Sequence, residues 1–442
     1  MSRLIVPPFS INNRSYYALE HTTFFEMNFA FGISGQLDIE ILKNSFKKIF
    51  FETPVLQTRI KKCLFFIKRS HKSSYQKNEI NQLFIVKKLN ESTYTTPEIK
   101  QLHNELISII NSYIDTSKEP PIKLFVCSIN ENKNIILLKV NHTLCDAHGS
   151  YILFSKIMQA YNGYKKTPNK ITISDEPKNY SINGLKKYKT LPNIAEEESE
   201  NILFHRDNNS AKGTLKSIPY YVTDDDYTLI KKCLKRADCS INDLIITSVA
   251  LTYYSLFNEE KSKDLKFESL YDFRKNLRIS GGISNFVALF NIIIKPEDLQ
   301  NKSEMLKVVH KKYTSIIERN IPLRNAAKAL IMKYFPIQLV RHQFKKFEEN
   351  ILKNNHPHVT TSITNTGKLD EIIESPSECT IEYTWATTQT SPTYGMKWGA
   401  ATINNRLTFN LAYLNPVITD KTATSLMKTF KKELLRIVTN ET

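Results

Sequence analysis

The stretch Ile135-Ile136-Leu137-Leu138-Lys139-Val140-Asn141-His142-Thr143-Leu144-Cys145-Asp146-Ala147-His148-Gly149-Ser150 decides how this chain is read. Ile136, Leu138 and Val140 share the parity of one strand face, and His142 falls on that parity just where the apolar run ends. The histidine therefore leaves a core face at a strand terminus. An imidazole held there by packing is partly desolvated, which keeps it neutral and able to accept a proton. Four residues on, Asp146 brings a carboxylate, and Gly149-Ser150 start a helix carrying Phe154, Ile157, Met158 and Tyr161.

From the residues alone, three readings of His142 stand side by side. It can be a structural histidine at a strand end, a proton-transferring base, or a ligand in a metal cluster with Asp146 and His148. The spacing of those three matches no common zinc pattern, so no metal is expected. Cys145 as a nucleophile would need a base of its own and an accessible position.

Working outward, an apolar strand over 24–31 precedes Gly35, and a helix follows with Ile39, Leu42, Phe46, Ile49 and Phe50 on one face and Asp38 as its cap. Pro54 ends that helix, and a strand is expected over 55–60. A helix over 97–113 and strands over 124–128 and 135–140 complete the first half. Between about 166 and 216 the sequence turns rich in Pro, Asn, Lys and Glu, the composition of a crossover.

The second half opens with a strand over 217–222 and a helix over 224–237. Ser240-Ile241-Asn242-Asp243 then has the spacing of a capping box, which predicts a long buried helix over 244–257. Further strands are expected over 267–272, 289–294, 380–386 and 407–413, with helices over 304–318, 325–333 and 421–438, and Ser362 to Gly367 reads as a turn. Strands and helices mixed in both halves indicate an α/β (α+β) chain in layers.

Length and composition agree. At 442 residues the chain exceeds one ordinary core, so the division is a lobe over 1–165, a linker over 166–216 and a lobe over 217–442. With 41% hydrophobic and 11% aromatic residues, there is enough apolar surface to offset the entropy of ordering. The start of the chain lacks the apolar region of a signal peptide, and no apolar run approaches the ~20 residues of a membrane span. A cytoplasmic protein without a membrane span is expected. Six scattered cysteines form no Cys-x-x-Cys pair and read as reduced thiols. The net charge of +17 suits an anionic partner, but Lys and Arg are spread along the chain and no nucleic-acid motif accompanies them. A phosphorylated cosubstrate or an acidic carrier protein fits that charge; nucleic acid is not expected.

Asn141-His142-Thr143-Leu144-Cys145-Asp146-Ala147 resembles the His-x-x-x-Asp-Gly motif of the chloramphenicol acetyltransferase and condensation-domain superfamily. The resemblance runs nearly the whole chain, through Phe31 to Asp38, Glu52 to Arg59, Ser240 to Asp243, Leu270-Tyr271-Asp272-Phe273-Arg274 and Ser362 to Gly367. It implies two similar lobes with a tunnel between them. An acyl thioester, as acyl-CoA or on a phosphopantetheinyl carrier, would be the co-substrate, with no permanently bound cofactor. A small-molecule alcohol or amine would be the acceptor. His142 would be the general base, and Asp146 would pair with Arg274 to fix the catalytic loop. Thr364 and Asn365 are candidate donors to the oxyanion.

Two positions depart from the family pattern. Ala147 replaces the glycine after the aspartate, with Gly149 two residues on, and Asn141 stands where peptide-condensing members carry a second histidine. Both point toward the alcohol acyltransferase and polyketide-associated types. A free-standing condensation enzyme that joins carrier-bound substrates, or a non-catalytic binding member of the fold, are the alternatives.

Overall fold

Strands whose two faces are both apolar need cover on both sides, and the burial of β6 (Lys133–Asn141) shows it: only Lys133 is exposed. The computed structural model describes residues 17–18, 26–62, 67–72, 75, 77–89, 104–165, 185, 188, 197–199, 201–210, 212–257, 262–279, 282–299, 304–354, 358–387 and 390–440. In the first half the strands are β1 (Glu26–Gly35), β2 (Thr58–Lys62), β3 (Ile67–His71), β4 (Phe84–Lys88), β5 (Ile122–Asn130) and β6. In the second half they are β7 (Thr214–Tyr221), β8 (Leu265–Asp272), β9 (Val287–Ile294), β10 (Thr361–Lys368), β11 (Cys379–Thr387), β12 (Met396–Ile403) and β13 (Arg406–Asn415).

Two large sheets result. The first has the order β11-β1-β6-β5-β4 and the second β7-β13-β12-β10-β8-β9, with β2 and β3 forming a separate antiparallel pair. β11 comes from the second half of the chain, yet it pairs antiparallel with β1, Phe31 opposite Thr384. The first sheet is thus closed at that edge by a strand more than 300 positions away.

The parity of β6 sorts its side chains as expected. Ile136, Leu138 and Val140 join Phe29, Phe31 and the helix residues Phe46, Phe154, Ile157 and Tyr161 in one core. Ile135 and Leu137 face the other way, into a cluster that takes in Leu215, Ala412 and Leu414 from the second sheet. That shared cluster holds the lobes together. The outer face of the second sheet, with Ile363, Trp398, Phe409 and Leu411, packs on the helices Ile241–Leu256 and Asp420–Asn440.

Helix starts follow their caps. Asp38 accepts from the Ile41 amide at 2.9 Å to open Ile39–Glu52, and Ser240 and Asp243 form the capping box of Ile241–Leu256. The segment expected as a strand over 55–60 is instead a 3-10 turn, Pro54–Gln57, running into β2; Pro54 sets the turn. Ser362 to Gly367 is part of strand β10 rather than a free turn, although Gly367 keeps the left-handed φ of +74° at its far end. The helix Ile337–Asn354 and strand β12 were not expected. The helix expected over 97–113 is described as Asn104–Asn111, and its first part lies outside the described residues, as does most of 166–216. Among the described residues no helix is long and apolar enough to cross a membrane.

Candidate active site

His142 stands at the first turn after β6. Asn141 is buried, and its side-chain oxygen accepts from the Thr143 amide at 3.0 Å and the Thr143 hydroxyl at 2.6 Å, a local turn closed by the side chain itself. Leu144 N donates to Asn141 O at 2.9 Å. Asn141 therefore shapes the turn that presents the next residue.

The loop is then clamped from outside. Arg69 of β3 donates to the Thr143 carbonyl at 3.0 Å, and the Asn285 amide donates to the His142 carbonyl at 2.9 Å. Neither residue was expected from the sequence, since both hold backbone atoms and lie far along the chain. Asp146 and Arg274 do meet, as expected: Arg274 Nη1 lies 2.9 Å from one carboxylate oxygen and Nη2 2.7 Å from the other. Asp146 is 1% and Arg274 3% exposed, so this is a buried two-point pair. The amides of Phe286 at 2.7 Å and Gly149 at 2.8 Å complete the coordination of Asp146. Burial alone would push its carboxyl up, but Arg274 and these amides outweigh that and hold it below the ordinary range. Arg274 also reaches Asp272 at 3.0 Å and the Ser284 carbonyl at 3.0 Å, and lies over the Phe286 ring.

Both Asp146 oxygens are engaged in this way, one by Arg274 and Gly149 and the other by Arg274 and Phe286. His148 faces Asp272 instead, at 3.6 Å. Cys145 is buried, 3.4 Å from the Ser150 hydroxyl, and burial pushes its thiol up to about 12, so it stays protonated. Ala147 begins the helix Ala147–Lys165 without a glycine, and the tight approach falls at Gly149. A Cβ there would stand 2.8 Å from the Cys145 Cβ and 3.3 Å from the carbonyls of Gly282 and Ser284.

Between the two sheets lies a cavity of about 130 Å³, to which His142 contributes. Met27, Trp385 and Ala386 line it from the first sheet; Leu270, Thr364, Lys397 and Asn410 line it from the second. His142 is half-buried and faces this space. Burial lowers its pKa to about 4; its own carbonyl and Asp146 act in the opposite sense, and Lys397 adds to the lowering. The imidazole is therefore neutral at physiological pH. Thr364 and Asn365 both line the cavity, but the Asn365 oxygen is occupied by the Gly367 amide at 2.8 Å.

Two facing α/β lobes with this cavity at their junction define the fold of the condensation-domain and chloramphenicol-acetyltransferase-like superfamily. The chain belongs to the condensation-domain family, whose sequence profile matches residues 16–442. Members of that family are transferases that form amides or esters. Among solved structures it is similar to the epimerization domain from the third module of tyrocidine synthetase B, at 14% identity and a TM-score of 0.67, over 99% of this chain and 97% of that one. It is also similar to the TRI3 trichothecene 15-O-acetyltransferase from Fusarium sporotrichioides, at 12% identity and a TM-score of 0.67, over 97% and 94% of the two chains. Polyketide synthase associated protein 5 from Mycobacterium tuberculosis matches at 11% identity and a TM-score of 0.66, over 98% of this chain and 100% of that one. No curated protein matches the sequence.

Proposed function

We propose that this protein moves an acyl group from a thioester to a small alcohol or amine, with His142 as general base. The observation that carries the reading is a neutral, half-buried imidazole facing the cavity between the lobes, on a loop fixed from behind by the Asp146–Arg274 pair. His142 takes the proton of the acceptor O–H or N–H as that atom attacks the thioester carbonyl. When the carbon–sulfur bond breaks, the imidazolium returns the proton to the departing thiolate. Proton transfer by a positioned base supplies ~10²- to 10⁴-fold, and holding both reactants in one cavity supplies much of the rest. The Thr364 hydroxyl or the Asn365 amide group serves as donor to the oxyanion. The thioester is carried by coenzyme A or by the phosphopantetheine of a carrier protein, and a net charge of +17 favours the approach of either.

The match to the condensation-domain profile supports a second reading, amide formation between two carrier-bound substrates. A panel of acyl-CoAs and carrier-loaded acyl thioesters, offered with free alcohols and amines and with carrier-bound amines and followed by thiol release, separates the two. Transfer to a free acceptor supports the first, and transfer to carrier-bound amines only supports the second. His142→Ala is the control for both. Its turnover should fall at least ~10²-fold with an unchanged melting temperature, and retention of more than about a tenth removes the proposed base.

A further inference from the structure

A polar row crosses the second sheet beside the cavity, and of its members Lys397 lines the cavity. Glu268 of β8 is the Cα partner of Ser362 of β10, and Ser362 of Lys397 of β12. The parity is that of the cavity wall: Leu270 and Asp272 follow Glu268, Thr364 follows Ser362, and Gly399 follows Lys397, all of them lining residues. The alternate residues Phe267, Ile363 and Trp398 point away, into the core under the helices.

Carboxylate, hydroxyl and ammonium thus stand side by side on three adjacent strands. Glu268 and Lys397 make no ion pair within 4.0 Å. Ser362 is fully buried beside Glu268, and its hydroxyl helps to hold that carboxyl down. Burial pushes the Glu268 carboxyl up and the Lys397 ammonium down, and the attraction of each for the other works against both shifts. Lys397 is also near enough to depress the pKa of His142. A cation without an ion-pair partner at the wall of the cavity, close to the base, fits a ligand oxygen that would supply what the protein withholds.

We infer that Lys397 is the anchor for a carboxylate on the acyl acceptor, which makes the acceptor a small hydroxy acid or amino acid. The inference rests on the transferase reading above. One ammonium suits a singly charged group. A phosphate would bring nearly two negative charges up to Glu268 as well. A carboxylate next to the nucleophilic atom places that atom within reach of His142, and the attraction of Glu268 works against the burial that lowers the Lys397 ammonium.

The test uses the full-length protein and two readouts. Wild type, Lys397→Met and Lys397→Arg are titrated calorimetrically with L-lactate, methyl L-lactate, L-alanine and L-alaninamide, and the same four compounds serve as acceptors in the thioester assay. Wild type should prefer the acids over their neutral counterparts by about ten- to hundredfold, the span of a hydrogen bond to a charged group. Lys397→Met should lose the preference in binding and in the kcat/KM ratio, and Lys397→Arg should keep part of it. Wild type that shows no preference for the acids, or a folded Lys397→Met that retains it, overturns the subsite. Lys397-dependent binding of acids without transfer from any thioester supports the subsite and overturns the transferase reading.

Discussion

The Arg274 guanidinium meets the Asp146 carboxylate edge to edge, two nitrogens on two oxygens at 2.9 and 2.7 Å, across 128 positions of sequence. Asp146→Ala strands a buried guanidinium, and a defect of that kind costs about 3 to 5 kcal/mol. Asp146→Asn should be milder, because the amide oxygen still accepts one of the two bonds. In a double-mutant cycle by urea denaturation, Asp146→Ala with Arg274→Met should be more stable than the sum of the single losses predicts. Strict additivity would mean that the pair is not coupled.

His142 should titrate near pH 4, well below the ordinary 6.5, because burial opposes its charged form. Between 6.5 and about 4 the unfolded chain binds a proton that the folded chain refuses. The sign follows from linkage: this group makes stability fall as pH drops through that window, with no further change below about 4. NMR titration of the His142 Cε1 proton reads it directly, and a midpoint above 6 would contradict the environment described.

Two glycines in one helix should respond with opposite signs. Helix propensity favours alanine over glycine by ~1 kcal/mol. At Gly163 a new Cβ meets nothing within 4 Å, so Gly163→Ala should stabilise by up to that amount. At Gly149 the Cβ would stand 2.8 Å from that of Cys145, and overpacking of this kind costs ~1 to 3 kcal/mol. Gly149→Ala should therefore destabilise, and thermal unfolding of the two variants side by side checks the contrast.

Lys139 is fully buried, donating to the carbonyls of Ile109 at 2.9 Å and Ile110 at 2.8 Å at the end of the helix Asn104–Asn111. Burial brings its pKa down to about 8, against the pull of Glu26. As pH falls from 10.5 to about 8, the unfolded chain gains a proton that the folded one does not, so this lysine makes stability decrease across that window. Lys139→Met should flatten the slope there. At pH 7 it should still cost about 1 to 3 kcal/mol, because two buried carbonyls lose their donor. Denaturation midpoints from pH 7 to 10.5 measure both effects.

Much of this was legible in local pattern. The parity of Ile136, Leu138 and Val140, the Asp38 cap and the Ser240–Asp243 box all act within a few residues, and each stands where expected. Asp146 and Arg274 were paired by resemblance, since no spacing rule connects positions so far apart. Strand β12, Met396-Lys397-Trp398-Gly399-Ala400-Ala401-Thr402-Ile403, was missed because its small residues have low strand propensity; its neighbours β10 and β13 make it a strand. Arg69 and Asn285 left no signal because they recognise carbonyl oxygens, which every residue possesses. The Glu268–Ser362–Lys397 row exists only once three strands are in register.

The placement of β11 against β1 has a consequence for biosynthesis. Thr384 donates its hydroxyl hydrogen to the Ala30 carbonyl across 354 positions, so the first lobe cannot close its sheet until nearly all of the chain has left the ribosome. At the usual synthesis rates β11 emerges roughly 20 to 70 s after β1. Throughout that interval β1 presents a bare edge of unpaired amides and carbonyls, the kind of template on which nascent chains pair wrongly with one another. Stalled chains ending before residue 379 should therefore be protease-sensitive in the first lobe and should call on holding chaperones. Protection that arises only after Thr387 has been made would identify the last strand of that sheet as the step that commits the protein to its native state.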